Sequence, residues 1–250
     1  MEIVAEGWED GVPYKTTLTS VDRWRVQNSD TIIVKVSDTD IRIQQQPRLL
    51  DAARAGVGAC LWDSSFVLTA FLAGQDPLKW CGAQVMELGA GLGLPGIFVA
   101  LQGAKVVLTD KGSVIPLLRE SVKHNKGAAS RRLNVAIEEL NWDSASCHER
   151  LKELGAIQYD YIIAADCLYT DEGGQTPGIN RFIAACAALC TAPHCCCYIA
   201  LEKRASSVLD AFFSAARASG FTVDNVAPNE TMTALRADHV MVLRMQKTER

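Results

Sequence analysis

From residue 84 onward the chain alternates short apolar runs with longer stretches of helical spacing. Val85 to Leu88, Val106 to Leu108, and the stretches 133–140, 159–165, 194–204, 221–226 and 239–245 are the apolar runs. Each has the length of a strand, and near-continuous apolar character is what a strand buried on both faces requires. The stretches 97–102, 113–126, 147–157, 179–190 and 206–219 read as helices. In 113–126, Val114, Leu117, Leu118, Ser121 and Val122 share one face. Pro116 fits only within a first turn, so this helix is predicted to begin near Ser113. Gly103 stops one helix and Gly220 is a C′ stop for another. Strands alternating with helices predict an α/β fold: a doubly wound, seven-stranded, mostly parallel sheet whose last two strands form a hairpin.

The chain before residue 84 is patterned differently. Residues 1–30 show weak periodicity and are expected to form an irregular arm. Residues 31–46 alternate through Ile33, Val36, Ile41 and Ile43, interrupted by the turn sequence SDTD at 37–40. That predicts a β-hairpin covering a sheet edge or one end of a site. Residues 48–57 read as a short helix or loop. Ser64 to Leu72 reads as an apolar helix with Asp63 or Ser64 as N-cap. The expected organisation is an N-terminal arm and hairpin extension over 1–47, then one domain over 48–250.

Composition narrows the function classes. With 250 residues, 48% hydrophobic and 22% charged, the chain has ample core for a globular domain. A net charge of −4 argues against a duplex-binding protein, which needs a basic face. No apolar run approaches the roughly 20 residues of a membrane span, and the acidic N-terminus does not read as a signal peptide. Nine cysteines without framework spacing predict reduced thiols in the cytoplasm or nucleus. Cys186 and Cys190 fall on an apolar helix face and Cys195 to Cys197 open a strand; no Cys-x-x-Cys pair exists, so no metal site is expected. His124, near the end of its helix, reads as a surface or capping histidine.

The chemistry centres on Gln84 to Asp110. An apolar run meets glycines at 89, 91, 93 and 96, a helix follows, and a second apolar run ends on Asp110. This strand, glycine turn, helix and acid-tipped strand form a nucleotide-binding βαβ half. The glycines let backbone N–H groups approach a ligand, and Asp110 is placed for ribose hydroxyls. Glu87 would repel a pyrophosphate and favour a cofactor carrying ammonium and sulfonium charge, which tilts the choice from a nicotinamide dinucleotide to S-adenosylmethionine. Trp142, just past a strand, offers a face to an adenine, and Trp62 reads equally as core or as a cofactor wall. The fourth strand of the domain delivers Asp166-Cys-Leu-Tyr169, an acid and a phenol three residues apart. The loop at 171–178 reads as a gate or a plain connector.

Together, Glu87-Leu-Gly-Ala-Gly-Leu-Gly, Thr109-Asp110, Asn141-Trp142 and Asp166-Cys-Leu-Tyr169 resemble the seven-β-strand, Rossmann-like class I methyltransferases. More narrowly, the chain from about 31 to 247 resembles the family-16 protein-lysine methyltransferases. These carry an Asp/Glu-x-x-Tyr motif after strand four, matched by Asp166 and Tyr169, a tryptophan–acid pair like Trp62-Asp63, and an N-terminal β element like Ile41 to Gln44. The DCLY and LEKR segments are similar to the branch that methylates the valosin-containing AAA ATPase. One departure is Glu202, which sits in LEKR where relatives more often have an aromatic–Glu pair.

The resemblance implies a cytoplasmic, monomeric enzyme that uses S-adenosylmethionine, releases S-adenosylhomocysteine, and methylates a lysine on a specific protein, chaperone or AAA-ATPase-like. It implies Asp166 and Tyr169 as catalytic residues, and Trp62, Glu87, Gly89, Gly91, Asp110, Trp142 and Asp166 around the cofactor, with no nucleic acid, membrane or metal involved. Small-molecule or other N-methylation and a catalytically silent cofactor-binding module stay open as alternatives. A nucleic-acid or glutamine methyltransferase would show an Asn-Pro-Pro-Tyr-type quartet after strand four. A nicotinamide-dependent oxidoreductase would need a Tyr-x-x-x-Lys or a His/Asp pair.

Overall fold

The computed structural model describes residues 1–49, 56–126, 133–168 and 177–248. The expected irregular arm is instead ordered. It forms β1 (Glu2–Glu9), β2 (Val12–Leu18) and a short helix, α1 (Arg23–Gln27). Asp10 and Gly11, both at positive φ, make the two-residue turn between the strands, a conformation that the Asp-Gly dipeptide favours. The expected hairpin is β3 (Thr31–Val36) and β4 (Thr39–Gln44). Its inner face carries Ile32, Val34 and Val36 with Ile41 and Ile43, whereas Ile33 lies on the outer face opposite Val4 and Arg42. Consecutive apolar residues hide the strand's parity, and pairing decides it.

These strands build one antiparallel sheet in the order β2-β1-β3-β4. It packs on α2 (Asp63–Ala73), α3 (Leu94–Leu101) and α4 (Ile115–Lys126). The exposed backbone of β4 is closed off by α4. Asn125 accepts the Arg42 N–H at 3.0 Å and donates to the Arg42 carbonyl at 2.8 Å, as a neighbouring strand would. Buried Gln45 ties the extension to the main body, donating to the Val26 and Ser29 carbonyls and accepting the Leu61 N–H at 2.7 Å.

The main sheet has the seven strands expected. They are β5 (Gln84–Leu88), β6 (Lys105–Asp110), β7 (Val135–Glu139), β8 (Tyr161–Ala165), β9 (Cys196–Glu202), β10 (Phe221–Asn225) and β11 (Val240–Lys247), in the order β10-β11-β9-β8-β5-β6-β7. β11 runs antiparallel to β9 and β10, and the other pairings are parallel.

Successive side chains divide between two cores. Val85, Val106, Leu108, Ile163 and Tyr198 face α2, α3 and the N-terminal sheet. Met86, Leu88, Val107, Ile162 and Ile199 face α5 (Cys147–Leu154), α6 (Pro177–Leu189) and α7 (Ser206–Ala218). A short helix not foreseen from the pattern, α8 (Glu230–Ala234), is capped by Asn229. The strand order reverses between β5 and β8, so a cleft opens past their carboxyl ends, where doubly wound sheets bind ligands.

Candidate active site

The floor of the cleft is the turn from β5 into α3. Gly89 and Gly91 stand at φ 60° and 56°, which a side chain at either position would strain. Gly96 is needed for a different reason: a methyl group there would collide with Glu87 and Leu108. The turn is tied to β6 on both sides. Ala90 donates to the Thr109 carbonyl at 2.8 Å, and Gly91 donates to Asp110 Oδ2 at 2.7 Å. The Lys111 N–H donates to Asp110 Oδ1 at 2.7 Å. Burial pushes the Asp110 carboxyl up from its usual range, and these N–H groups act against that rise. Both of its oxygens keep lone pairs for further donors.

Trp62, Gly89, Gly91, Asp110, Trp142 and Asp166 all line this one cleft, so the structure assembles six of the eight residues singled out from the sequence. Trp142 packs edge-on against Phe182 at 5.5 Å. Tyr169 lies outside the described residues, as do 171–176 of the loop that follows; α6 begins at Pro177.

Glu87 requires a correction. It was expected at the methionine end of a cofactor, but it is 1% exposed and is not on the cleft wall. Position 87 alternates with Met86 and Leu88 onto the α3 side of the sheet. There Oε2 accepts the Gly96 N–H at 3.0 Å, in the first turn of α3. Burial raises its pKa well above the ordinary value, opposed by that N–H. A carboxyl held toward its neutral form, behind the turn, does not select a ligand by charge.

Asp63 also departs from expectation. The residue preceding α2 is Trp62, which makes no side-chain cap. The Asp63 carboxylate instead takes Arg23 at 2.9 Å and His239 at 2.7 Å.

Asp166, the residue after β8, stands at φ 56°, a conformation uncommon for a non-glycine residue, and lines the cleft. The side chain is 4% exposed. Oδ2 accepts from Arg204 Nη2 at 2.6 Å and the Glu202 N–H also favours the carboxylate, while Oδ1 is buried without a well-aligned partner among the described residues. Burial raises this carboxyl's pKa, and Arg204 opposes the rise. Burial also disfavours ionisation of Glu202, but bonds from Arg204 and Arg23 outweigh it and hold the group below its usual range. Arg23, Arg204 and His239 went unnoticed in the sequence, where no local spacing links them. Cys167 was equally silent: it donates to the Leu88 carbonyl at 3.2 Å, beneath Gly89.

The cleft suits an elongated cofactor with one apolar and one polar end. A Cβ at Gly89 would come within 2.6 Å of Cys167 Sγ and 3.3 Å of the Trp142 ring, so the missing side chain leaves a cradle between thiol and indole. Trp142 Nε1 is a buried donor without a partner among the described residues, and Asp110 lines the same cleft as an acceptor.

The fold is that of the class I methyltransferases. Two solved structures share it: an rRNA guanine methyltransferase of T. thermophilus in complex with AdoMet and guanosine (TM-score 0.55, 17% identity, 87% of this chain and 50% of that one), and an O-methyltransferase family protein of Burkholderia thailandensis (TM-score 0.56, 15% identity, 82% and 63%). The narrower assignment comes from sequence. A family model described as lysine methyltransferase matches residues 38–218, and the chain belongs to that S-adenosylmethionine-dependent family. Similar proteins include the protein N-lysine methyltransferase METTL21A of Xenopus tropicalis, 33% identical over 64% of this chain and 67% of the relative. METTL21A of Danio rerio is 40% identical over 49% and 53%, and mouse EEF1A lysine methyltransferase 3 is 29% identical over 64% and 62%. The matches thus span about half to two thirds of these relatives' own length.

Proposed function

We propose that the protein transfers methyl groups from S-adenosylmethionine to the side-chain amine of a lysine in another protein. The observation that carries this reading is Asp166: one oxygen held by Arg204, the other buried at the cleft mouth with no well-aligned donor among the described residues. A buried acceptor without a partner is costly, and an incoming ammonium supplies the missing donor. Family membership supports lysine as the target.

S-adenosylmethionine bound in this cleft would supply an electrophilic methyl group and leave as the neutral thioether S-adenosylhomocysteine. The chain's own residues do the rest. Gly89 and Gly91 bring backbone against the cofactor, Asp110 takes ribose hydroxyls, and Trp142 and Trp62 supply aromatic faces. The attacking nitrogen must be the neutral amine, whereas a free lysine has a pKa near ~10.4. Desolvation between Trp62 and the cleft wall lowers that value. Asp166 would receive the ammonium, the proton would pass to water, and the carboxylate would then hold the neutral amine with its lone pair facing the cofactor cleft. Alignment of this kind supplies much of the acceleration. Tyr169, three residues on, is assigned to limit how many methyl groups fit.

The acceptor in this reading is a protein, engaged by a monomer without nucleic acid or membrane. The net charge of −4 supports the first exclusion, and among the described residues no helix is long and apolar enough to cross a membrane. Nine free thiols support a reducing compartment, cytoplasm or nucleus. Residues 1–47 serve as an extension to a catalytic domain over 48–250.

The test is to incubate the protein with methyl-labelled cofactor and a cell lysate, then hydrolyse the labelled protein. Methyl-lysine should carry the label. Asp166→Ala should lose transfer by at least about 100-fold while still binding S-adenosylhomocysteine. Label on another residue type, or turnover retained in Asp166→Ala, refutes the assignment.

A further inference from the structure

Five charged side chains and His239 meet where α1, the start of α2, the ends of β8 and β9 and the start of β11 converge. Arg23 Nη2 lies 2.9 Å from Asp63 Oδ2 and 3.0 Å from Glu202 Oε2. Arg204 donates from Nε to the same Glu202 oxygen at 2.9 Å and from Nη2 to Asp166 at 2.6 Å. His239 Nε2 sits 2.7 Å from Asp63 Oδ2. Both guanidiniums lie over the Trp62 ring, at 5.9 and 5.3 Å from its centre. The contacts therefore form one chain, Asp63–Arg23–Glu202–Arg204–Asp166, which begins beside a cleft wall and ends at the cleft mouth.

The carboxylates are the desolvated members. Asp63, Glu202 and Asp166 are 6%, 15% and 4% exposed, against 37% and 36% for the two arginines. Three carboxylates face two guanidiniums here, and among the described residues Asp166 Oδ1 is the buried carboxylate oxygen of the group without a hydrogen-bond partner of good geometry. Arg204 is shared between Glu202 and Asp166. It bonds both at once, Nε to Glu202 and Nη2 to Asp166, and Arg23 adds a second cation on the same Glu202 oxygen, which lessens the pull of Glu202 on Arg204. Covering the sheet does not need a charge at this position. Val26, one turn along the same face of α1, is buried in the core and already anchors the helix.

We infer that Arg23 is a positioning residue for methyl transfer: through Glu202 and Arg204 it fixes Asp166 with Oδ2 occupied and Oδ1 presented to the substrate ammonium. The N-terminal sheet thereby completes the substrate side of the site. The inference rests on the lysine reading above.

The experiment uses the full chain, with the lysate protein labelled by the wild type as substrate. Arg23→Ala should lower turnover about 10- to 100-fold, the cost of a small misplacement at the reacting centre. Affinity for S-adenosylhomocysteine should stay within about twofold, because the Arg204 guanidinium, nearer the Trp62 ring at 5.3 Å than Arg23 at 5.9 Å, stays in place over it. Arg23→Lys should recover little, since a single ammonium lacks the planar fork that spans two carboxylates. Arg23→Ala combined with Glu202→Gln should be no slower than the worse single variant, because both act along one chain.

Wild-type turnover in Arg23→Ala overturns the inference, as do multiplicative effects in the double variant. So does a parallel collapse of cofactor affinity and melting temperature, which marks a purely structural role. A wild type that binds S-adenosylhomocysteine but methylates no lysine overturns the proposed function, and this inference with it.

Discussion

Replacing Glu87 separates a residue that builds the glycine turn from one that touches a ligand. Its carboxyl is buried against α3 and accepts the Gly96 N–H at 3.0 Å. Glu87→Ala removes one buried methylene, at ~0.8 kcal/mol, together with the carboxyl. It also leaves a buried N–H without an acceptor, at about 1–3 kcal/mol. A loss of about 2–4 kcal/mol is expected, read as a fall in the urea midpoint.

Glu87→Gln keeps the shape and the acceptor, and its effect depends on pH. The folded-state pKa of Glu87 is raised by burial above its ordinary 4.5. The native protein therefore holds this proton more tightly than the unfolded chain does. That contribution is complete below about pH 4.5 and fades as the pH rises through the folded pKa. Glutamine is neutral throughout, so the Gln variant should gain stability relative to wild type as the pH is raised. Its affinity for S-adenosylhomocysteine should remain within about twofold. A difference between variant and wild type that is flat with pH would refute the buried-acid account. A tenfold loss of affinity at unchanged stability would return Glu87 to the ligand.

The cofactor side yields two further expectations. Asp110→Ala should weaken S-adenosylhomocysteine binding about 10- to 100-fold by calorimetry, since it removes a charged hydrogen-bonding group worth about 1.5–3 kcal/mol and frees the Gly91 N–H it holds; an unchanged Kd refutes the ribose role. Gly89→Ala should cost about 1–2 kcal/mol for a side chain at φ 60° and block the cradle beside Cys167 and Trp142, so that thermal stabilisation by S-adenosylhomocysteine is lost; a normal thermal shift would refute the cradle.

The main sheet was legible in the sequence because its signals are local. Runs such as Val106 to Leu108 are apolar on both faces, and Gly103 and Gly220 mark the helix stops. Asp110, Trp142 and Asp166 could be placed because each follows a predicted strand, and strand ends in a doubly wound sheet converge on one cleft. The ordered arm could have been read in part, since Asp10-Gly11 is a hairpin signal between two extended stretches.

Tertiary structure alone decided the rest. Whether Ile32 or Ile33 faces inward depends on pairing with β1 and β4, because both are apolar. Glu87 sits in a motif that suggests a ligand, yet strand parity turns it toward α3, and burial rather than sequence neighbours sets its charge. The Arg23–Glu202–Arg204–Asp166 chain joins residues far apart in sequence that have no common spacing. Only the docking of α1 against the ends of β8 and β9 brings them within bonding distance, and only the resulting desolvation makes those charges depend on one another.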